Sequence, residues 1–167
     1  MSDIPLTVWW LIPVLPIALA VAWNDMARMK IPNGLVYALA FTYILTGALV
    51  LPIDAYLWRY GHLLAVLAAG IVLNAAGVFG AGDAKFAAAA APFVALQDLS
   101  TILYLFAACL IAGYVAHRMV KHSPLRRLVP EWASWTAGKR FPMGLPLAMT
   151  LLVYLALPLL AYSPSRL

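Results

Sequence analysis

Apolar residues in this chain gather into long runs, and short polar links separate them. The runs predict membrane-crossing helices over residues 4–23, 34–53, 62–79, 83–96, 99–116 and 143–162. About twenty residues of helix cover the roughly 30 Å of hydrocarbon in a bilayer. The fourth run is short. Counted from Gly82 it gives fifteen residues, or about 22 Å of helix. Either that helix tilts within a thinned bilayer, or its polar start lies below the headgroups in a wet cavity. Pro5, Pro13 and Pro16 kink the first run, which spanning helices tolerate. A cleaved signal peptide is the rival reading there, because Ala20-Val21-Ala22 imitates a cleavage site. Against it, the first residues lack a basic start, and their only charge is Asp3. In the link 54–61, Tyr56, Trp58 and Tyr60 form an aromatic belt at headgroup level. Asn74, inside the third run, predicts a hydrogen bond between helices.

Composition extends this picture. Of 167 residues, 65% are hydrophobic and only 10% charged, with a mean hydropathy of +0.92. Soluble domains carry about 25% charged residues, so lipid must solvate much of this surface. The expectation is one all-α polytopic membrane domain over residues 1–167, with about six transmembrane helices. The net charge of +5 does not point to nucleic acid, because the bases sit in the links. Nine of the eleven Lys and Arg residues fall on one side of the predicted topology, leaving only Arg59 and Arg166 on the other. The positive-inside bias then places Asp25, Asp83 and the link 117–142 in or beside the cytoplasm, with both termini outside. The six bases of that link favour contact with anionic lipid. Cys109 is the only cysteine, so neither a disulfide nor a Cys-x-x-Cys pair is available.

The chemistry is carried by two acids. Asp83 lies in Gly80-Ala81-Gly82-Asp83-Ala84-Lys85, where the fourth run begins. Two glycines, Gly80 and Gly82, precede it with one small residue between them, freeing the backbone and clearing the space next to the carboxylate. Asp25 lies at the inner end of the first run, in the link Asn24–Asn33. Topology brings both acids to one face, puts Asp3, Asp54 and Asp98 on the other, and leaves Glu131 in the long basic link. If the first and fourth helices are neighbours, two such carboxyls share one proton. One then activates water while the other protonates a carbonyl oxygen or a leaving amine. No cofactor and no metal is expected. His62 is on the outer side, and His117 and His122 lack the spacing of a zinc motif. Taken one at a time, each residue also has a plainer reading. Asp25 can pair with Arg28 or Lys30, Asp83 can cap its helix, and Lys85 can reach for the headgroups.

These residues resemble the Gly-x-Gly-Asp-x-Lys form of bacterial prepilin peptidases, the type IV leader peptidases. Asp25 followed by Arg28, Lys30 and Ile31-Pro32-Asn33 is similar to that family's first-aspartate segment, and residues 10–115 carry the likeness. Phe141-Pro142-Met143-Gly144-Leu145-Pro146 resembles the family's start of the last span, with Met143 and Leu145 departing from it. The resemblance implies a Gly-x-Gly-Asp aspartic endopeptidase in the bacterial inner membrane, with Asp25 and Asp83 catalytic. In it, Gly80, Gly82, Arg28, Lys30, Pro32, Asn33 and Lys85 would shape the site or position the substrate. The implied partners are prepilin substrates, cut at the cytoplasmic face between a short basic leader and a hydrophobic helix, and membrane lipids. The chain has neither the length nor the cysteines of larger methylating members, so it looks like the short form of tight-adherence (Flp-type) pili. Two other classes stay open: a small ion- or proton-coupled carrier lined by the two acids, and a non-catalytic assembly factor.

Overall fold

Six α-helices form among the described residues, which are 6–138 and 140–160 of the computed structural model. A 3-10 turn, Leu6–Trp10, leads into α1 (Leu11–Arg28). Then follow α2 (Asn33–Val50), α3 (Ile53–Ala75), α4 (Ala81–Ala90), α5 (Leu99–Lys121) and α6 (Gly144–Leu160). Four segments are long and apolar enough to cross a membrane: Thr7–Arg28, Asn33–Val50, Ile53–Ala75 and Leu96–Lys121. Gly144–Leu159 is a shorter apolar helix. Large apolar side chains such as Ile12, Phe41, Leu49, Tyr104 and Ile111 face outward, as a lipid solvent permits. The protein is an all-helical membrane protein.

Several helix ends differ from those expected. Helix α1 runs on through Arg28 instead of stopping at residue 23, so Asn24 and Asp25 are helical and not part of a link. The Asn24 amide donates to the Ala20 carbonyl one turn back, at 2.8 Å. The helix ends at Met29, a left-handed residue with φ 53°, whose N–H donates to Asp25 O at 2.8 Å. Helix α3 starts right after Pro52, so the expected link 54–61 is helical. Trp58 stays exposed there, but Tyr56 and Tyr60 turn towards the core. Asn74 bonds locally, donating to Phe79 O at 2.7 Å across the turn after α3, and not between helices. Helix α5 continues to Lys121. Asp3, the start of the first run, Lys139 and the tail 161–167 with Arg166 lie outside the described residues.

The fourth run is a broken helix. Helix α4 has ten residues, about 15 Å at 1.5 Å each. Pro92 has no N–H to continue the ladder. The chain tightens into a 3-10 turn at Ala91–Phe93, extends at Val94, and turns again at Leu96–Asp98. Backbone groups freed inside a bilayer need partners, and three side chains supply them. Arg59 donates to the Pro92 and Phe93 carbonyls at 3.2 and 3.3 Å. The His62 ring lies 3.1 Å from Val94 O. Tyr154 takes the Ala95 N–H at 3.2 Å while donating to Asp98 at 2.7 Å.

The same end of the bundle is locked by aromatic rings. Trp10 packs edge-on to Phe93 with centroids 5.1 Å apart, and Phe93 meets Tyr43 at 5.4 Å. Trp10 Nε1 donates to Thr46 at 3.0 Å, and the Tyr43 hydroxyl to Tyr56 O at 2.9 Å. Helix α1 packs most closely on α6, α3 on α4, and α5 on α6. Phe93 is buried among these rings, so Phe93→Ala should cost about 3–5 kcal/mol. Thermal unfolding in detergent checks this, and a loss of under about 1 kcal/mol would mean that the cluster does not hold the bundle's far end.

Candidate active site

Asp25 is 5% exposed, in the last turn of α1. Its Oδ2 accepts a hydrogen bond from the Gly144 N–H at 2.6 Å, across 119 positions of sequence. Gly144 opens α6, where a helix has free N–H groups to offer. The fit demands glycine: a Cβ there would stand 2.9 Å from Asp25 Cβ and 3.0 Å from Oδ2.

Asp83 is the third residue of α4, and Gly80 holds the N-cap position. A carboxylate at that place reaches back to the N-cap N–H, half of a capping box. The Asp83 carboxyl lies over Gly80, where a Cβ would collide with its Oδ2. The second glycine serves a different contact. A Cβ on Gly82 would lie 3.3 Å from Ile31 Cβ and 3.7 Å from the Ile31 backbone. Met29's left-handed turn reverses the chain after Asp25 and delivers Ile31 to that spot, seating the first turn of α4 on the link that follows α1. That seat brings the start of α4, which carries Asp83, against the link that leaves Asp25.

Around the pair, Lys85 Nζ donates to Asn33 Oδ1 at 3.3 Å, tying α4 to the start of α2. Pro32 is the extended residue before α2. Arg28 and Lys30 are exposed and, with Pro32 and Asn33, line a cleft of about 330 Å³. Thus Asp25, Asp83, Gly80, Gly82, Pro32, Asn33 and Lys85 converge, and Arg28 and Lys30 stand on the rim. Asp98, Arg59 and His62 belong to the opposite end. Glu131 is exposed in the long link.

Two contributors have no individual signal in the sequence. One is Ile31, which acts through its backbone and Cβ. The other is Gly144, legible only as part of Phe141-Pro142-Met143-Gly144. The link after α5 also has a structure of its own. Trp132 and Trp135 stack at 5.6 Å, Trp135 covers the His117 ring at 4.9 Å, and Trp132 meets Trp23 of α1 edge-on at 5.0 Å. These rings fold the link over the ends of α1 and α5.

A family model described as the type IV leader peptidase family matches residues 12–117, which include both aspartates and every rim residue. No curated protein and no solved structure matches the chain.

The Gly144 contact generates a stability prediction. Gly144→Ala should destabilise the protein by about 1–3 kcal/mol through overpacking against Asp25. Gly113→Ala on α5 meets nothing nearer than 3.6 Å and should be neutral or stabilising by about 0.4–1 kcal/mol. Parallel melts in detergent test the pair, and equal effects would show that α1 and α6 are free to separate at Asp25.

Proposed function

The chain belongs to the type IV leader peptidase family, and from that premise we propose that it is a membrane-embedded aspartic endopeptidase. Asp25 and Asp83 are its dyad. The substrate is a type IV or Flp-type prepilin, cut at the cytoplasmic face of the bacterial inner membrane between its basic leader and its hydrophobic helix. The observation that supports this reading is the buried Asp25 carboxyl held by the Gly144 N–H, with the first turn of α4, which carries Asp83, seated on the link that follows Asp25.

The chemistry follows from that arrangement. Two neighbouring carboxyls hold one proton between them. The ionised one takes a proton from water as the water oxygen attacks the scissile carbonyl carbon, and the protonated one gives its proton to the carbonyl oxygen. Collapse of the tetrahedral intermediate breaks the C–N bond and passes a proton to the leaving amine. Gly144 occupies Oδ2 of Asp25 and leaves the other oxygen for water. Pre-set geometry of this kind removes the need to reorganise during reaction. Lys85, held to Asn33, positions the entrance to α4, and Arg28 and Lys30 face the aqueous side. The paired cysteines of longer, methylating relatives have no counterpart in this sequence, where Cys109 is the single cysteine, so cleavage proceeds without methyl transfer.

Asp25→Asn and Asp83→Asn should each lower prepilin cleavage in membranes by at least about 100-fold, the scale of a lost acid or base. Protein abundance should not change. Appearance of the shortened product also separates a peptidase from a carrier or an assembly factor. Processing retained by both variants would remove the dyad.

A further inference from the structure

A second feature begins one residue beyond Asp83. Helix α3 packs on α4, α5 packs on α6, and α3 and α5 stand apart. Between them runs an apolar trough of about 470 Å³. Its floor is α4, through Ala84, Ala87, Ala90 and Ala91, with Leu147 and Leu151 of α6 beside it. Ala65, Ala69 and Gly70 form one wall, and Leu99, Leu103 and Phe106 the other. The trough starts at Ala84 and ends at Leu96, a length of roughly 20 Å along α4 and the turns that follow it.

We propose that this trough seats the hydrophobic helix of the substrate, parallel to α4, with the scissile bond at its Asp83 end. The proposal rests on the peptidase reading above. Three observations favour a helix as the occupant. The trough's lining includes Ala84, the residue that follows Asp83, so a helix lying along α4 has one end at the turn that carries this acid. Its floor carries Ala84, Ala87, Ala90 and Ala91, and Ala65, Ala69 and Gly70 stand in the α3 wall among larger residues; such small residues let a helix backbone approach closely where lipid offers no hydrophobic drive. Its length suits a face of three to four helical turns, recognised through apolar anchors in a groove. An acyl chain would fill the same space without needing a small-residue floor beside two acids.

The test compares two substrates with unmodified protein and variants in vesicles of bacterial phospholipid. One substrate is the full-length prepilin, and the other a peptide of the leader plus five residues past the cut. Ala87→Phe, which fills the floor, should raise KM for the full prepilin at least tenfold, with kcat and peptide cleavage unchanged. Leu64→Phe, on an exposed part of α3, should change neither. A binding check avoids bulky substitutions. In a Cys109→Ala, Asp83→Asn background, Ala91→Cys should form a disulfide with a cysteine placed seven or eight residues past the substrate's cut site, and Leu64→Cys should not. The disulfide decides the matter if Ala87→Phe does not fold. An unchanged KM for the full prepilin in folded Ala87→Phe overturns the trough but leaves the peptidase intact. So does an Ala91→Cys disulfide to a second copy of the chain but not to the substrate. Failure of the unmodified protein to cut either substrate overturns the peptidase itself, and the trough with it.

Discussion

The 2.6 Å hydrogen bond from the Gly144 N–H to the Asp25 carboxylate fixes the register of α1 against α6, the helix it packs on most closely. A carboxylate at the end of a membrane helix is stable when something answers it, and here the answer comes from the free backbone donor at the start of α6. Once α1 and α6 are joined there, the link after Asp25 must turn sharply. Met29 adopts a left-handed conformation to do it, a mild strain of the kind found near functional sites. That turn carries Ile31 under Gly82, and α4 rests on it. The seat of α4's first turn, with Asp83, on the link after Asp25 thus follows from one bond, one strained residue and one missing side chain.

The far end of the bundle makes the near end possible. A ten-residue helix cannot cross a bilayer by itself, and a broken one exposes carbonyls that hydrocarbon cannot satisfy. Arg59, His62 and Tyr154 take over those groups at the break after Pro92. Arg59 also lies over the Trp10 ring at 5.9 Å, within the Trp10–Tyr43–Phe93 cluster. The half of the fourth segment after Pro92 is therefore fixed by polar contacts and aromatic packing. The half before it, α4, packs on α3 with Ala84, Phe86, Ala88 and Ala89 buried.

Much of this was legible in the sequence, and the limits have physical causes. Hydropathy marks where the chain prefers lipid, so the apolar runs and the polar links between them could be read directly. Helix ends could not, because Asn24 and Asp25 are polar and helical at once: Asn24 bonds to its own helix and Asp25 to a distant backbone. Hydropathy is equally silent on direction, so Tyr56 and Tyr60 read as a headgroup belt although they pack inward against Tyr43. The gap between fifteen residues and a full span was visible. Its resolution was not, since it depends on partners from α3 and α6. Gly144 was legible only as part of the segment that opens the last run, because its partner, Asp25, lies 119 positions away.

Alanines along α4 join these threads. In water, a helix with alanines at positions 84, 87, 88, 89, 90 and 91 would pack weakly, because each buries little apolar area. In lipid the same sequence is not penalised, since packing there depends on close backbone approach and not on the area hidden. Gly70 lets Ala84 come so near that a Cβ on the glycine would be 2.8 Å from the alanine's own. On its other side, α4 presents Ala87 and Ala91 to open space between α3 and α5. A larger residue at either position would fill the trough from below and move its axis away from Asp83. The short side chains at these positions are what keep the space between α3 and α5 open. The cost in packing is offset at both ends of the segment, by Gly82 on Ile31 at one and by Arg59 on the Pro92 and Phe93 carbonyls at the other.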